Sequence, residues 1–86
     1  MSYYIYIIQS QKDQSFYIGT TRDLSERIER HNQGRSKYTQ KKRPWDIVYS
    51  EQHPDRSSAM KREYAIKRRK SSKYIDSLIE LFNSKA

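Results

Sequence analysis

The feature that most constrains the fold is a run of aromatic and β-branched residues near the start of the chain, Tyr3 to Ile8. Such residues favour a strand over a helix. A polar stretch, residues 9–15, separates this run from a second one, Phe16 to Gly19. Because the connection is short, we predict an antiparallel pair. Pairing Tyr6 with Tyr17 would place both side chains on one sheet face, and a slip of one residue would separate them.

Three helices and one further strand complete the predicted order. The first helix is predicted to end near Asn32 and the second near Lys70, with a basic loop over residues 35–44 and a third strand from Trp45 to Ser50. The predicted caps and stops are Thr20 or Thr21 and Gly34 for the first helix, Ser57 or Ser58 for the second, and Ser71 or Ser72 for the third. The order β-β-α-β-α-α predicts an α+β fold, a three-stranded antiparallel sheet flanked by three helices.

Length and composition limit the possibilities further. A chain of 86 residues is long enough for one domain, so we predict a single domain over residues 1–86. The absence of cysteine excludes disulfides and thiolate metal sites. No apolar run approaches the ~20 residues of a membrane span, and no signal peptide pattern is visible, so we expect a cytoplasmic protein.

The positive charge is concentrated in one part of the chain. The formal net charge is +8, and basic and acidic residues cancel outside residues 35–70. Residues 35–50 carry five basic side chains against one acidic, and residues 51–70 carry seven against three. Such a field suits a polyanionic partner, and a solvated basic surface that aids solubility is the alternative.

The first predicted helix places charged groups next to its apolar stripe. Leu24 and Ile28 define that stripe, and Arg27 and His31 lie beside it, one turn apart. A core-facing arginine is costly unless a partner satisfies it. A buried ion pair and an anion-binding site both explain the pattern.

The second predicted helix repeats the anomaly with a carboxylate. Its predicted apolar face consists of Ala59, Met60, Tyr64 and Ile66. Glu63 falls near the middle of that face, so it must pair with a cation, be protonated or hold a metal. A structural pair with Arg27 or with Lys67 is the alternative to a metal site.

Other chemistries find little support. With two glycines the chain has no Gly-rich phosphate loop, and no two histidines stand at metal-ligand spacing. His53 precedes a proline and is interpreted as a loop residue, whereas Trp45 is interpreted as packing on the sheet. The polar groups that remain on apolar faces are Tyr, Arg, His and Glu, which are parts of a phosphodiester site.

These residues also carry a family resemblance. Tyr4-Ile5-Tyr6, about ten residues ahead of Tyr17-Ile18-Gly19, resembles the paired motif that names the GIY-YIG nucleases, with Tyr4 in place of the glycine. The segment from Thr20 to Asn32 resembles the first helix of that family. Further segments resemble its small stand-alone bacterial branch: Lys37-Tyr38-Thr39, Arg43-Pro44, Ile47 to Glu51, Ala59 to Glu63 and Ile66-Lys67.

The resemblance implies metal-dependent hydrolysis of one DNA strand, with one Mg²⁺ or Mn²⁺ ion. The implied roles are Tyr6 as general base, Tyr17 and His31 as its orienting or proton-relaying partners, Arg27 as stabiliser of the transition state, and Glu63 as the metal ligand. Because an unperturbed phenol has a pKa of about 10, Tyr6 needs a cationic neighbourhood to act near neutral pH. We expect Arg27, Lys67 and the metal to supply it.

DNA is the expected partner, bound through its phosphates with structure selectivity or weak sequence specificity, as in repair or recombination. The expected contacts are Arg35, Lys37, Lys41, Lys42, Arg43, Lys67 and Arg68. One alternative is an inactive nucleic-acid-binding module in which Tyr6 and Tyr17 stack on bases and basic residues 35–70 follow the backbone. Another is a structural protein whose Arg27–Glu63 pair specifies the core.

Overall fold

The computed structural model describes residues 2–69 and 71–84, and its elements follow the predicted order. They are β1 Tyr3–Ser10, β2 Phe16–Thr21, α1 Leu24–Asn32, a short 3-10 helix Gln40–Lys42, β3 Trp45–His53, α2 Arg56–Arg69 and α3 Ser72–Ser84. The predicted α+β fold of three antiparallel strands and three helices is confirmed. Within the described residues, every helix is too short or too polar to cross a membrane.

The central strand is β1, which pairs antiparallel with β2 on one side and with β3 on the other. Tyr6 lies opposite Gly19, and Ile8 lies opposite Tyr17. The predicted pairing of Tyr6 with Tyr17 is therefore wrong by two residues. Because side chains alternate with a period of two, this shift keeps both tyrosines on the same face. The residue directly opposite Tyr6 has no side chain, which leaves room for the phenol ring.

Both faces of the sheet are covered, which explains why β1 is apolar at consecutive positions. Ile5 and Ile7 are fully buried in the cluster that α2 and α3 complete. The opposite face carries an aromatic cluster covered by α1, consisting of Tyr6, Ile8, Trp45, Tyr17, Leu24, Ile28 and Ile47. The predicted packing of Trp45 on the sheet is thus confirmed.

The start of α1 differs from the prediction. Its N-cap is Asp23, whose carboxylate accepts a hydrogen bond from the Glu26 amide at 3.0 Å. Thr20 and Thr21 end β2 instead, so neither is the cap. Aspartate caps a helix at least as well as threonine, and sheet pairing decides between them here. The predicted stop is confirmed, because Gly34 has a φ of 77° and its N–H donates to the His31 carbonyl.

The predicted cap is wrong for α2 and confirmed for α3. The Asp55 carboxylate accepts a hydrogen bond from the Ser58 amide at 2.8 Å, so an aspartate caps α2 rather than Ser57 or Ser58. The Ser71 hydroxyl accepts a hydrogen bond from the amide three residues later, which confirms the predicted cap of α3. The predicted end of α2 near Lys70 lies outside the described residues.

The predicted apolar face of α2 is wrong in two of its four members. Ala59 and Ile66 are buried, but Met60 is 49% exposed and Tyr64 is 67% exposed. Glu63 lies four residues after Ala59 and three before Ile66, so it shares their stripe. Its side chain is 24% exposed. The carboxylate therefore lies at the margin of the core with access to solvent.

A polar cluster centred on Glu51 joins β3 to α2 and α3. The Glu51 carboxylate accepts hydrogen bonds from Tyr49, from Arg62 and, at 2.8 Å, from His53. Arg62 also donates to the Tyr74 hydroxyl at 3.0 Å. His53 therefore belongs to a strand and holds a carboxylate, so its interpretation as a loop residue is wrong. Burial disfavours the charged form of Glu51, but these donors outweigh burial and lower its pKa.

Replacing Glu51 by glutamine should destabilise the fold by about 1–3 kcal/mol at pH 7, because charged hydrogen bonds in a half-buried site are lost. Because the folded-state pKa of Glu51 is lowered, its stabilisation is present above the unfolded pKa of about 4.3 and is lost as pH falls below it. Urea unfolding at pH 7 and pH 3 measures this. Glu80→Gln, at an exposed position of α3, is the control. If the free energies of unfolding of Glu51→Gln and the original protein differ by the same amount at pH 7 and at pH 3, the prediction is contradicted.

Candidate active site

The phenol of Tyr6 lies at the centre of the candidate site. β1 directs Tyr6 towards the face covered by α1, and its side chain is 2% exposed. The ring extends over Gly19, where an added Cβ would lie 2.5 Å from the Tyr6 Oη. Such a distance is well inside van der Waals contact. The missing side chain at Gly19 therefore makes the space that the phenol occupies.

His31 and Tyr17 complete an aromatic triad around this hydroxyl. His31 lies in the last turn of α1 and is 2% exposed. Its Nε2 is 3.0 Å from the Tyr6 Oη. The Tyr17 ring lies edge-on to the imidazole at 5.1 Å between centroids, and 6.4 Å from the Tyr6 ring. Three of the predicted site residues are thus brought into direct contact.

The other ring nitrogen of His31 contacts a residue that sequence reasoning did not select. The Thr39 Oγ1 is 2.7 Å from His31 Nδ1, and the side chain is 1% exposed. The backbone carbonyl of Thr39 accepts a hydrogen bond from the Trp45 Nε1 at 2.9 Å. Thr39 precedes the 3-10 helix in a segment predicted only as a basic loop. A lone threonine in such a loop carries no periodic signal of burial, so only its place in the Lys37-Tyr38-Thr39 segment marked it.

Arg27 approaches the same hydroxyl from α1. One of its terminal nitrogens donates to the Thr20 carbonyl at 3.4 Å, and the Nε is buried with no hydrogen-bond acceptor among the described residues. The nearest carboxylate oxygen to that Nε belongs to Glu26, at 4.0 Å. A buried donor without a partner is costly. An anion bound by the guanidinium would satisfy this N–H group and remove that cost. The Arg27–Glu63 ion pair, one of the structural alternatives, is not among the ion pairs of the described residues.

The electrostatic environment of Tyr6 differs from the expected one. Burial raises the pKa of Tyr6 to about 12, although the neighbouring Arg27 opposes this, and Tyr17 and Glu63 raise the pKa further. The expectation that nearby cations lower the pKa of Tyr6 below its ordinary value is therefore wrong for the charges that the protein itself supplies. Burial, with Arg27 and Arg30, lowers the pKa of His31. A neutral phenol thus faces a neutral imidazole at pH 7.

Glu63 is close enough for its charge to raise the pKa of Tyr6, and its carboxylate bonds to Lys67 Nζ at 2.8 Å. Of the two alternative pairs, Glu63–Lys67 is the one that forms. No group of three or more His, Cys, Asp or Glu side chains within residues 2–69 and 71–84 could enclose a metal. The donor set fits a hydrated Mg²⁺ or Mn²⁺ held by one carboxylate, since Mg²⁺ keeps several waters and shares ligands with substrate phosphate.

The predicted DNA-contacting residues fall into different surroundings. Lys41 and Arg43 line an open cleft of about 700 Å³ together with Lys12 and Asn32. Arg68 lines a second cleft of about 450 Å³ on α2 and α3. The remaining four are exposed: Arg35 and Lys37 in the loop after α1, Lys42 paired with Asp13 at 3.1 Å, and Lys67 paired with Glu63.

Comparisons with known proteins agree with this architecture. The family model described as the GIY-YIG catalytic domain matches residues 2–75. UPF0213 proteins of Staphylococcus aureus strains Mu50 and COL are each 43% identical over 67 residues, which cover 77% of this chain and 80% of theirs. A UPF0213 protein of Bacillus halodurans, solved by solution NMR, has a TM-score of 0.59 and 34% identity. That comparison covers 94% of this chain and 85% of the other.

Proposed function

This chain belongs to the GIY-YIG family, and we propose that it is a metal-dependent endonuclease that hydrolyses a phosphodiester in one strand of DNA. The observation that supports this most is the convergence on one buried hydroxyl. Tyr6 Oη lies 3.0 Å from His31 Nε2, and the charges of Arg27 and Glu63 both act on it. The hydroxyl, imidazole, guanidinium and carboxylate come from β1, α1 and α2, so the fold itself assembles them.

In the proposed reaction Tyr6 takes a proton from the attacking water. A phenol with a pKa of about 12 is neutral at pH 7, so it must release its own proton as it accepts another. His31 Nε2 is within hydrogen-bond distance to receive that proton, and the imidazole is neutral and able to do so. Tyr17 limits the orientation of the imidazole by its edge-on contact. The base is therefore the Tyr6–His31 pair rather than a preformed tyrosinate.

Arg27 is proposed to hold the phosphoryl group during attack. Its Nε lacks an acceptor among the described residues, and its side chain is 30% exposed, so the guanidinium can reach a phosphate at the surface. The planar fork of arginine matches two phosphate oxygens at once. Negative charge that develops on those oxygens is stabilised by donors already in place.

Glu63 is proposed to hold the divalent ion. The carboxylate is at the solvent margin of α2 and can exchange its Lys67 partner for a cation. When bound, Mg²⁺ or Mn²⁺ supplies positive charge to the phosphoryl and leaving oxygens. Lys67, once released, remains one helical turn away and can contact a neighbouring phosphate.

The proposal is tested by cleavage of branched, nicked and plain duplex DNA with Mg²⁺, with Mn²⁺ and with a chelator. We expect cutting of at least one substrate only with metal, and a loss on the order of 10²-fold in Glu63→Gln, because a charge that binds the ion is removed. Glu80→Gln, also a helical carboxylate, should cut like the original protein. Equal cutting by Glu63→Gln, or equal cutting in chelator, contradicts the assignment.

We further propose that the cleft lined by Lys12, Lys41 and Arg43 binds backbone phosphates beside the site. The logarithm of the DNA affinity should then fall with the logarithm of salt concentration, by about 0.9 for each phosphate neutralised. The double variant Lys12→Gln, Lys41→Gln should reduce this slope by about 2, as measured by fluorescence anisotropy. The matched double variant Lys61→Gln, Lys73→Gln removes the same charge from exposed helix positions. A flat salt dependence, or an equal effect of the two doubles, counts against the cleft.

The stacking alternative is weakened by burial. Tyr6 is 2% exposed, so a base cannot stack on its ring, and that part of the alternative is wrong. Tyr38 and Tyr64 are the exposed aromatic residues, at 85% and 67%. Binding without cleavage would use them and the basic side chains of residues 35–70. Such a module gives no reason for a buried phenol–imidazole contact, so we favour the nuclease.

A further inference from the structure

A line of buried hydrogen bonds extends from the Tyr6 hydroxyl into the loop after α1. Tyr6 Oη lies 3.0 Å from His31 Nε2, and His31 Nδ1 lies 2.7 Å from Thr39 Oγ1. Thr39 Oγ1 in turn donates to the Ser36 carbonyl at 3.5 Å. The three side chains are at most 2% exposed, so bulk water does not compete for these bonds. Each member must therefore find its donor or acceptor within the line.

The direction of these bonds follows from what each end can do. At the Thr39 end, the 2.7 Å contact with His31 Nδ1 fits either an N–H···O or an O–H···N bond, and the 3.5 Å contact with the Ser36 carbonyl is too long to decide between them. At the other end Arg27 only donates, so it cannot accept the Tyr6 proton. Among the described residues, His31 Nε2 is the acceptor within hydrogen-bond distance of Tyr6 Oη. The Tyr6 end therefore requires the neutral imidazole to carry its proton on Nδ1. Thr39 Oγ1 then accepts from Nδ1–H, and its own hydroxyl proton is left for the Ser36 carbonyl.

We propose that Thr39 is a positioning residue that fixes His31 in the Nδ1–H tautomer and aims the Nε2 lone pair at the Tyr6 hydroxyl. The assignment of the tautomer stands on the hydrogen bonds alone, and its catalytic consequence rests on the proposed nuclease function. In that reaction the Tyr6 O–H bond breaks as an Nε2–H bond forms, and the phenolate oxygen takes a proton from water. The net transfer is one proton from water to His31, while Thr39 continues to accept from Nδ1–H.

The loop is anchored so that Thr39 stays in place. Asn32, next to His31, accepts a hydrogen bond from the Trp45 amide at 2.6 Å and donates to the Trp45 carbonyl at 3.0 Å. The Trp45 indole donates to the Thr39 carbonyl. Trp45, which follows the loop, is therefore bonded to Asn32 before the loop and to Thr39 within it. None of these bonds uses the Thr39 hydroxyl. A Thr39→Val substitution, nearly equal in shape, should remove the acceptor without moving the backbone.

The direct test is ¹⁵N NMR of the imidazole rings in the intact, DNA-free protein at neutral pH. A His53→Gln variant assigns the signals, since the chain has two histidines. We expect His31 to carry its proton on Nδ1 in the original protein and in Thr39→Ser, which keeps the hydroxyl. In Thr39→Val we expect the proton to move to Nε2 or to distribute between both nitrogens. A wild-type spectrum with the proton on Nε2, or an unchanged tautomer in Thr39→Val, overturns the proposal.

The catalytic consequence is measured separately with the same variants. Thr39→Val should lower kcat by about 10–100-fold with little change in KM for DNA, as for residues that orient a functional imidazole. Thr39→Ser should restore kcat to within about threefold. Thermal unfolding distinguishes a folded Thr39→Val from an unfolded one, and the wild-type spectrum decides the tautomer even if that variant fails to fold. A protein that has the Nδ1–H tautomer but cuts no DNA refutes the nuclease function and leaves the assignment of the tautomer intact.

Discussion

The Tyr6→Phe variant should lose cleavage by about 10²–10⁴-fold while keeping its fold and its affinity for DNA. The substitution removes one oxygen atom, the group through which Arg27, His31 and Glu63 are all coupled. The ring remains and continues to pack with Ile8 and Trp45. Single-turnover cleavage at saturating DNA and metal measures the loss, because it isolates the chemical step from product release.

The chain provides a matched control for this variant. Tyr49 is also a buried tyrosine, 7% exposed, but its hydroxyl bonds to Glu51 on the opposite face of the sheet. Tyr49→Phe should cost about 1 kcal/mol of stability and leave cleavage within a few fold. If Tyr6→Phe cuts as well as Tyr49→Phe, the base is not Tyr6. If both variants lose cleavage equally, the effect is one of stability.

The elements of the fold could be predicted because local signals agreed with each other. Tyr3 to Ile8 is rich in strand-favouring residues. Capping residues and periodic stripes mark the helices to within a few residues, although the capping residue itself was misassigned in α1 and α2. The strand register could not be predicted from such signals. A shift of two residues leaves every side chain on the same face of the sheet, so the apolar pattern fits both registers equally well. The exposure of Met60 and Tyr64 was missed because a helix of mixed composition shows no clear apolar side. Which of its apolar residues are buried depends on where the sheet lies.

Several residues predicted for the site lie together in the structure, but the electrostatic environment of Tyr6 differs from the expected one. Arg27, His31 and Glu63 were selected because polar groups on apolar helix faces require an explanation, and Tyr6 was selected through the family resemblance. The raised pKa of Tyr6 follows from burial by α1 and the neighbouring strands, which is a tertiary property with no local pattern. Thr39 was missed for a related reason. Its partner His31 is eight residues away across an irregular loop, where neither helical nor strand spacing relates two side chains.

The Gly19→Ala variant should lower cleavage by about 10²-fold and stability by about 1–3 kcal/mol. The added methyl group would lie 2.5 Å from the Tyr6 Oη and 2.7 Å from its Cζ, so the phenol must move away from His31. A displacement of about 1 Å is enough to reduce a positioned proton transfer by that factor. The backbone of β2 tolerates alanine, so the strand itself should persist. Circular dichroism and urea unfolding, run beside the cleavage assay, separate the two effects.

The second glycine supplies the control for an added methyl group. Gly34 has a φ of 77°, so Gly34→Ala should also cost about 1 kcal/mol, through backbone strain. Its new Cβ would meet the far end of the Arg43 side chain, which can move. Cleavage at saturating DNA should stay within a few fold. Equal losses of cleavage in Gly19→Ala and Gly34→Ala would indicate a general stability effect and remove the argument for Tyr6.

A double-mutant cycle makes the collision between Gly19 and Tyr6 measurable as a coupling energy. In the Tyr6→Phe background the closest atom, Oη, is absent, and only the contact with ring carbons remains. Gly19→Ala should therefore destabilise that background less than it destabilises the original protein, a non-additivity expected for residues in contact. Cleavage should show the stronger effect: Gly19→Ala should cause no further loss once the hydroxyl is gone. If the two substitutions add in both stability and rate, Gly19 does not act through Tyr6, and the glycine of the second motif has some other function.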